Sequence, residues 1–263
     1  MINMIKFRLR DMTWRSFEEY CIKNSCIGIL PIGSIEQHGD HLPLGTDLFI
    51  ADKLAEIAAT KALERNIRAI VLEPIAVTIS REWSGNPGTL WVSGEVFQAY
   101  LKNYLFSVFR NRINRVVVLN AHGGNFENLL AALKNTVYDY EERGFRVYLV
   151  NWWDMVGDVI NEVFETRFFH ADEIETSLAL ALGICCETRE VGERITRPYE
   201  TEWYSNDLAK RNRVYVFYKE GERREKGSFG RPDLASREKG VKLLNVFLER
   251  FLRFLEDVYN NKI

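Results

Sequence analysis

Short apolar runs set the limits on how this chain can fold. Arg115-Val-Val-Val-Leu-Asn120 is the clearest, and with no helical spacing of its apolar residues it reads as a buried strand. Cys26 to Pro31 and Arg146 to Val150 are of the same kind, and Ala69 to Ile79 holds another strand region. Helical spacing fills the stretches between them: Ile50, Leu54, Ile57 and Ala58; Val96, Tyr100, Tyr104 and Val108; Leu129, Leu130 and Leu133. Strands alternating with helices predict an α/β fold around a mainly parallel sheet. Thr13 is placed to cap a first helix, Thr46 or Asp47 the next, and Ala235 to Tyr259 closes the chain as an amphipathic helix. Val214 to Tyr218 is one more strand candidate in an otherwise polar region. With 263 residues and no repeat or clear linker, one domain over 1–263 is expected.

In folds of this kind ligands sit beyond the carboxyl ends of the strands. The densest chemistry lies there. Gly33-Ser-Ile-Glu-Gln-His-Gly-Asp-His-Leu-Pro-Leu-Gly-Thr-Asp47 follows the first strand and holds Glu36, His38, Asp40, His41 and Asp47. Glycines and a proline between them make it a shaped loop. Carboxylates and imidazoles so close together suit zinc, manganese or iron, and carboxylates can bridge a pair of ions. The chain's four histidines, 38, 41, 122 and 170, all fall in loops after strands or just before helices. Glu36, His38, Asp47 and His122 are therefore candidate ligands, and Glu175, in His170-Ala-Asp-Glu-Ile-Glu-Thr-Ser177, is a fifth that also has a catalytic candidacy. His170 is not needed as a ligand and suits a proton carrier. Asp40 and His41 are read as groups that orient the ligands. Ser80 and Trp83, in the long loop Ser80 to Thr89, with Gly123, Trp152 and Trp153, are expected to line the substrate pocket, since they follow strands at the same end.

Composition excludes several classes. Lys plus Arg is 35 and Asp plus Glu is 37, so no basic excess points to nucleic acid. No apolar run approaches the roughly 20 residues needed to span a bilayer. The four cysteines form no Cys-x-x-Cys pair, Cys185 and Cys186 lie in an apolar helical run that reads as core, and no secretory leader is evident. A cytoplasmic protein with reduced thiols is expected. No Gly-x-Gly-x-x-Gly follows a strand, which argues against a dinucleotide enzyme.

The loop from Gly33 to Asp47 resembles the signature of the creatininase family of metal-dependent amidohydrolases. Asn120-Ala-His-Gly-Gly-Asn125, His170 to Ser177 and Gly227 to Gly240 are similar to that family in the same order. The resemblance implies a three-layer α/β/α sandwich, two divalent ions per subunit and a homo-oligomer, often a hexamer. It places family ligand positions on Glu36, His38, Asp47 and His122, with Glu175 as a further acidic candidate. Creatinine-cleaving members carry a tyrosine and a metal-binding glutamate directly after the histidine matching His122. Here those positions are Gly123 and Gly124, which is similar instead to the archaeal deformylase of flavin and deazaflavin synthesis and to the mycofactocin-precursor peptidase. The expected activity is hydrolysis of a non-peptide C–N bond, a cyclic amide or formamide of a small, flat substrate, by a metal-held hydroxide. The alternatives are a peptidase-like relative acting on a modified peptide and a metal-binding scaffold without catalysis.

Overall fold

The computed structural model describes residues 7–140, 144–186, 201–205, 207–208, 212–214 and 227–263. Among the described residues, four strands, β1 (Ile27–Ile32), β2 (Ala69–Val71), β3 (Arg115–Asn120) and β4 (Arg146–Asn151), form one sheet in the order β2-β1-β3-β4, and every pairing between them is parallel. β1 lies at the centre beside β3, pairing Ile27 with Arg115 through to Ile32 with Asn120. Because side chains alternate across a strand, each apolar run feeds two cores. Ile27, Ile29, Val117 and Leu119 point to one face, and Leu30, Ile32, Val116 and Val118 to the other.

Helices cover both faces, making the expected α/β/α sandwich. After the single-turn α1 (Trp14–Phe17), α2 (Thr46–Glu64) covers the first face together with α5 (Gly157–Val163), α6 (Glu173–Ala181) and the long α7 (Arg237–Tyr259). α3 (Gly94–Arg110) and α4 (Phe126–Asp139) cover the second. Thr13 caps α1 through a reciprocal capping box with Ser16. α2 differs from the expectation: its cap is Gly45, Thr46 Oγ1 donates to the Pro43 carbonyl, and Asp47 lies inside the first turn. Its carboxylate is thus left free for another use.

Other differences have local causes. β2 stops at Val71, three residues before Pro74, which has no N–H for the ladder. Beyond Val71, Leu72 N donates to the Ile29 carbonyl and Ile75 bridges Ile32 of β1, while Thr78 bridges Trp91 outside the sheet. On α3 the buried stripe is Phe97, Leu101, Leu105, Val108 and Phe109, while Val96 and Tyr100 are exposed. Both stripes have helical spacing, and the bulkier Phe and Leu set takes the core. Leu130 likewise faces outward from α4. α6 ends at Ala181, so Cys185 and Cys186 lie past it, and Cys185 is exposed rather than core. A turn through Ser25, at φ 54°, brings Cys21 and Cys26 to a Cα separation of 4.6 Å and they are disulfide-bonded, which corrects the expectation of four reduced thiols. The strand candidate Val214 to Tyr218 lies, beyond Val214, outside the described residues. Among the described residues, no helix is long and apolar enough to cross a membrane.

One close approach ties the fold to its loop. A Cβ at Gly33 would stand 2.3 Å from Leu48 N and 2.6 Å from the Asp47 carbonyl carbon. Only glycine lets the end of β1 meet the first turn of α2. Gly33→Ala should cost about 1–3 kcal/mol, a fall in Tm of roughly 2–12 °C for a chain of this size. Thermal melts of the metal-free protein check it; an unchanged Tm contradicts the contact.

Candidate metal centre

Two histidines arrive at this centre with their tautomers decided. His38 Nδ1 lies 3.0 Å from the Glu36 carbonyl oxygen, and His122 Nε2 lies 2.8 Å from the Ile79 carbonyl oxygen. A carbonyl only accepts, so these two nitrogens carry the hydrogens. The other nitrogen of each neutral ring then presents a lone pair to Asp47. His38 Nε2 is 3.0 Å from Asp47 Oδ1, and His122 Nδ1 is 3.1 Å from Asp47 Oδ2. Lone pair facing carboxylate oxygen is repulsive unless a cation stands with them. One such position lies on each oxygen of Asp47.

Carboxylates complete both positions. Glu36, Asp47 and His122 form one cluster with ligand atoms within 4.8 Å of one another, and His38, Asp47 and Glu175 form a second. Glu36 is fully buried, and neither of its carboxylate oxygens has a hydrogen-bond partner. Such a group is costly without a counter-charge, and a divalent cation supplies one. Glu175 Oε2 is 3.9 Å from His38 Nε2 and accepts from Ala171 N. The donors are carboxylate oxygens and imidazole nitrogens, a set that fits zinc or manganese. The site is a dinuclear divalent-metal site.

The surrounding chain explains the precision. β1 delivers Glu36 and His38, β3 delivers His122, and α2 delivers Asp47. Asn125 Nδ2 donates to the Gly33 carbonyl and to Asn120 Oδ1, and Asn120 Nδ2 donates to the His122 carbonyl, so the ends of β1 and β3 are stitched together. Ser34 Oγ donates to Asp47 Oδ2 at 2.9 Å. These partners lie inside or beside the motifs but have no ligand chemistry, so spacing alone did not mark them.

His170 stands apart. Its Nε2 is 2.9 Å from both the backbone carbonyl and the side-chain amide nitrogen of Gln37, one an acceptor and the other a donor. Its Nδ1 faces Glu36 Oε1 at 3.6 Å, and Trp83 stacks on the ring at 4.3 Å and 18°. With Glu36 and His38 it makes a third cluster, but both of those residues already belong to the Asp47 clusters. His41 Nε2 contacts Thr176 Oγ1 at 3.0 Å, on the α6 side of the loop. Glu173 is held by Lys239, Thr166 and the Glu165 amide and plays no part here.

The pocket is narrower in membership than expected. A cavity of about 230 Å³ opens onto Glu36, Asp47, His122, His170 and Glu175, with Trp83 and Gly123 in its wall. Ser80 is buried outside that lining. Trp152 and Trp153 are core residues packed edge-on to each other and against Phe168, because the chain leaving edge strand β4 turns against α7. Phe229 is buried beside Trp83 and Phe169.

Charges follow the geometry. Burial holds the Glu36 carboxyl up at about 7. Burial works to lower His38, but Asp47 beside it wins and pushes the ring up to about 10. Burial opposes the charge on His122 as well, and Glu36 and Asp47 still raise it well above the usual range. Although burial opposes its charge, the two rings hold Asp47 well below the usual carboxylate range. Burial, and then Asp47, raises Glu175. Burial, helped by His38, holds His170 well below the usual imidazole range.

A buried carboxylate and imidazole cluster at the strand ends of an α/β/α sandwich defines a metal-dependent hydrolase. The family model described as creatinine amidohydrolase matches residues 10–255, and the chain belongs to the creatininase family. A 3-dehydro-scyllo-inosose hydrolase of Thermotoga maritima is 29% identical over 93% of this chain and 82% of its own. Creatinine amidohydrolase of Pseudomonas putida is 27% identical over 65% of this chain and 70% of its own. A manganese creatininase structure superposes with a TM-score of 0.78 at 20% identity, covering 96% of this chain and 98% of that one. The lean toward the Gly-Gly-Asn branches is corrected by these matches, which run to creatininase itself. Two glycines are too local a feature to sort a whole chain.

In the metal-free protein, protons on His38 and His122 stand in for the ions. A raised pKa means a ring protonated below it, so metal must displace protons and affinity must rise with pH. Calorimetry of zinc binding at pH 7 in two buffers of different ionisation enthalpy should show about one proton released per ion or more. No net release contradicts the arrangement.

Proposed function

We propose that the chain hydrolyses a non-peptide C–N bond in a small cyclic amide or formamide, using two divalent ions. Glu36, Asp47 and His122 would hold one ion, and His38, Asp47 and Glu175 the other, with zinc, manganese or iron as the metal. Asp47 is shared, one oxygen to each. The single observation that carries this reading is that each of its oxygens lies about 3 Å from a histidine nitrogen whose ring partner nitrogen is held by a backbone carbonyl. When bound, such a pair activates a water and polarises a carbonyl. A cavity of about 230 Å³ lies below the roughly 300–1,000 Å³ of ordinary ligand pockets, which favours a small molecule over a peptide.

The protein's own groups then handle the proton. An amide nitrogen leaves poorly unless it is protonated. His170 is neutral near pH 7 because its pKa is depressed, so it begins as a base. It takes a proton from the attacking water and returns it to the leaving nitrogen, a role worth typically 10²–10⁴-fold. His38 and His122 are each fixed by a carbonyl in one tautomer. His170 instead meets an acceptor and a donor at Nε2, so its hydrogen can sit on either nitrogen without loss of the ring's position. Trp83 covers one face of the ring and keeps water from it. The whole chain would serve as one domain, in a homo-oligomer. Leu44, Phe49 and Leu90 are exposed and offer apolar side chains for contacts between copies.

Turnover is tested on the zinc- or manganese-loaded protein with cyclic amides, creatinine first, then formamides. The inosose substrate named for the Thermotoga maritima relative belongs in the same panel. Amide or formamide hydrolysis is expected; turnover of the inosose alone, or none at all, contradicts the reading. His170→Ala should keep both ions and lose about 10²–10⁴-fold in kcat, while His122→Ala should lose an ion. If His170→Ala binds one ion fewer, it is a ligand and the assigned role is wrong.

A further inference from the structure

Glu82 lies in the loop Ser80 to Thr89 and is absent from the metal clusters. The structure brings it to them. A 3-10 turn, Arg81–Trp83, carries its carboxylate over the His122 ring, with Oε1 3.5 Å from Nε2, and into the cavity wall. The space it occupies is left by a missing side chain. A Cβ at Gly124 would stand 2.4 Å from Glu82 Oε1, 2.6 Å from His122 Nε2 and 2.9 Å from the Ile79 carbonyl oxygen. Three groups therefore converge where position 124 has none of its own.

Their chemistry is matched. Nε2 of His122 carries the hydrogen, given to Ile79; Glu36 Oε2 also lies 3.4 Å from this nitrogen, but Glu36 is assigned to an ion in the two-ion reading. A carbonyl fixes the tautomer but adds no charge. A carboxylate beside the same N–H draws the hydrogen further and makes the opposite nitrogen more basic, the effect known for histidine ligands backed by carboxylates. Glu82 is one-third exposed, so it carries this charge without the full cost of burial.

We propose that Glu82 is a positioning residue of the metal centre: from the slot opened by Gly124 it holds the hydrogen on His122 Nε2 and strengthens Nδ1 toward an ion on Asp47 Oδ2. This rests on the two-ion reading above. It also gives Gly123-Gly124 a physical meaning, since any side chain at 124 would expel the Glu82 carboxylate.

The test is competitive zinc titration of the metal-free 263-residue chain against a chelating dye, with the melting temperature of each metal-free variant. The wild type is titrated first. If it takes up no zinc, the two-ion reading fails and this proposal with it. If it takes two ions, Glu82→Gln and Gly124→Ala should weaken one of them about 10–100-fold and leave the other within about twofold. Glu82→Asp, which keeps the charge, should recover part of the loss. Wild-type affinities in Glu82→Gln overturn the proposal while leaving the two-ion reading intact. Loss of one ion outright at saturating zinc makes Glu82 a direct ligand and overturns it too. Equal weakening of both ions with a lower metal-free melting temperature shows a general structural role, with the same consequence.

Discussion

The buried carboxylate of Asp47 is the interaction on which the rest depends. It lies between two imidazoles whose hydrogens are turned away from it by backbone carbonyls. Without cations, that arrangement holds only if protons take their place, and Glu36 is left with two buried oxygens and no hydrogen bond. The cost of such a cluster is offset by the scaffold around it. β1 and β3 are paired over their full length, and Asn120 and Asn125 lock their ends. α2 meets the end of β1 at Gly33 with no room for a side chain. The candidate ligands come from the loop after β1, from α2, from the loop after β3 and from α6, so no local rearrangement relieves the repulsion, and binding of cations is the way left to satisfy it.

Most of the fold was legible because strands and helices announce themselves by period. β1, β3 and β4 are short continuous apolar runs, and the parallel sheet follows from their alternation with helices. The phase of α3 was not legible, because two stripes share the same spacing and only packing chooses Phe97 and Leu101 over Val96 and Tyr100. The Cys21–Cys26 bond was missed because five-residue spacing carries no signal until a turn closes it.

The site divides in the same way. Glu36, His38, Asp47 and His122 lie together, since loops at strand ends leave few other places for them. The tryptophans after β4 were misplaced because position at a strand end says where the backbone goes and not which way the next side chains turn. Glu82 was passed over since one glutamate in a loop has no pattern. It acquires meaning only beside Gly124, some forty residues away. His170 shows the reverse case: sequence singled it out by elimination, and the proton role proposed for it draws on the mixed acceptor and donor at Gln37.

The sharing of Asp47 is most directly tested by anomalous diffraction from crystals grown with zinc. Two peaks are expected, roughly 3.5–4 Å apart as in other two-metal sites. One should lie about 2.0–2.2 Å from Asp47 Oδ1 and His38 Nε2, the other at the same distance from Asp47 Oδ2 and His122 Nδ1. A single peak, or two peaks of which one makes no contact with Asp47, would contradict the account.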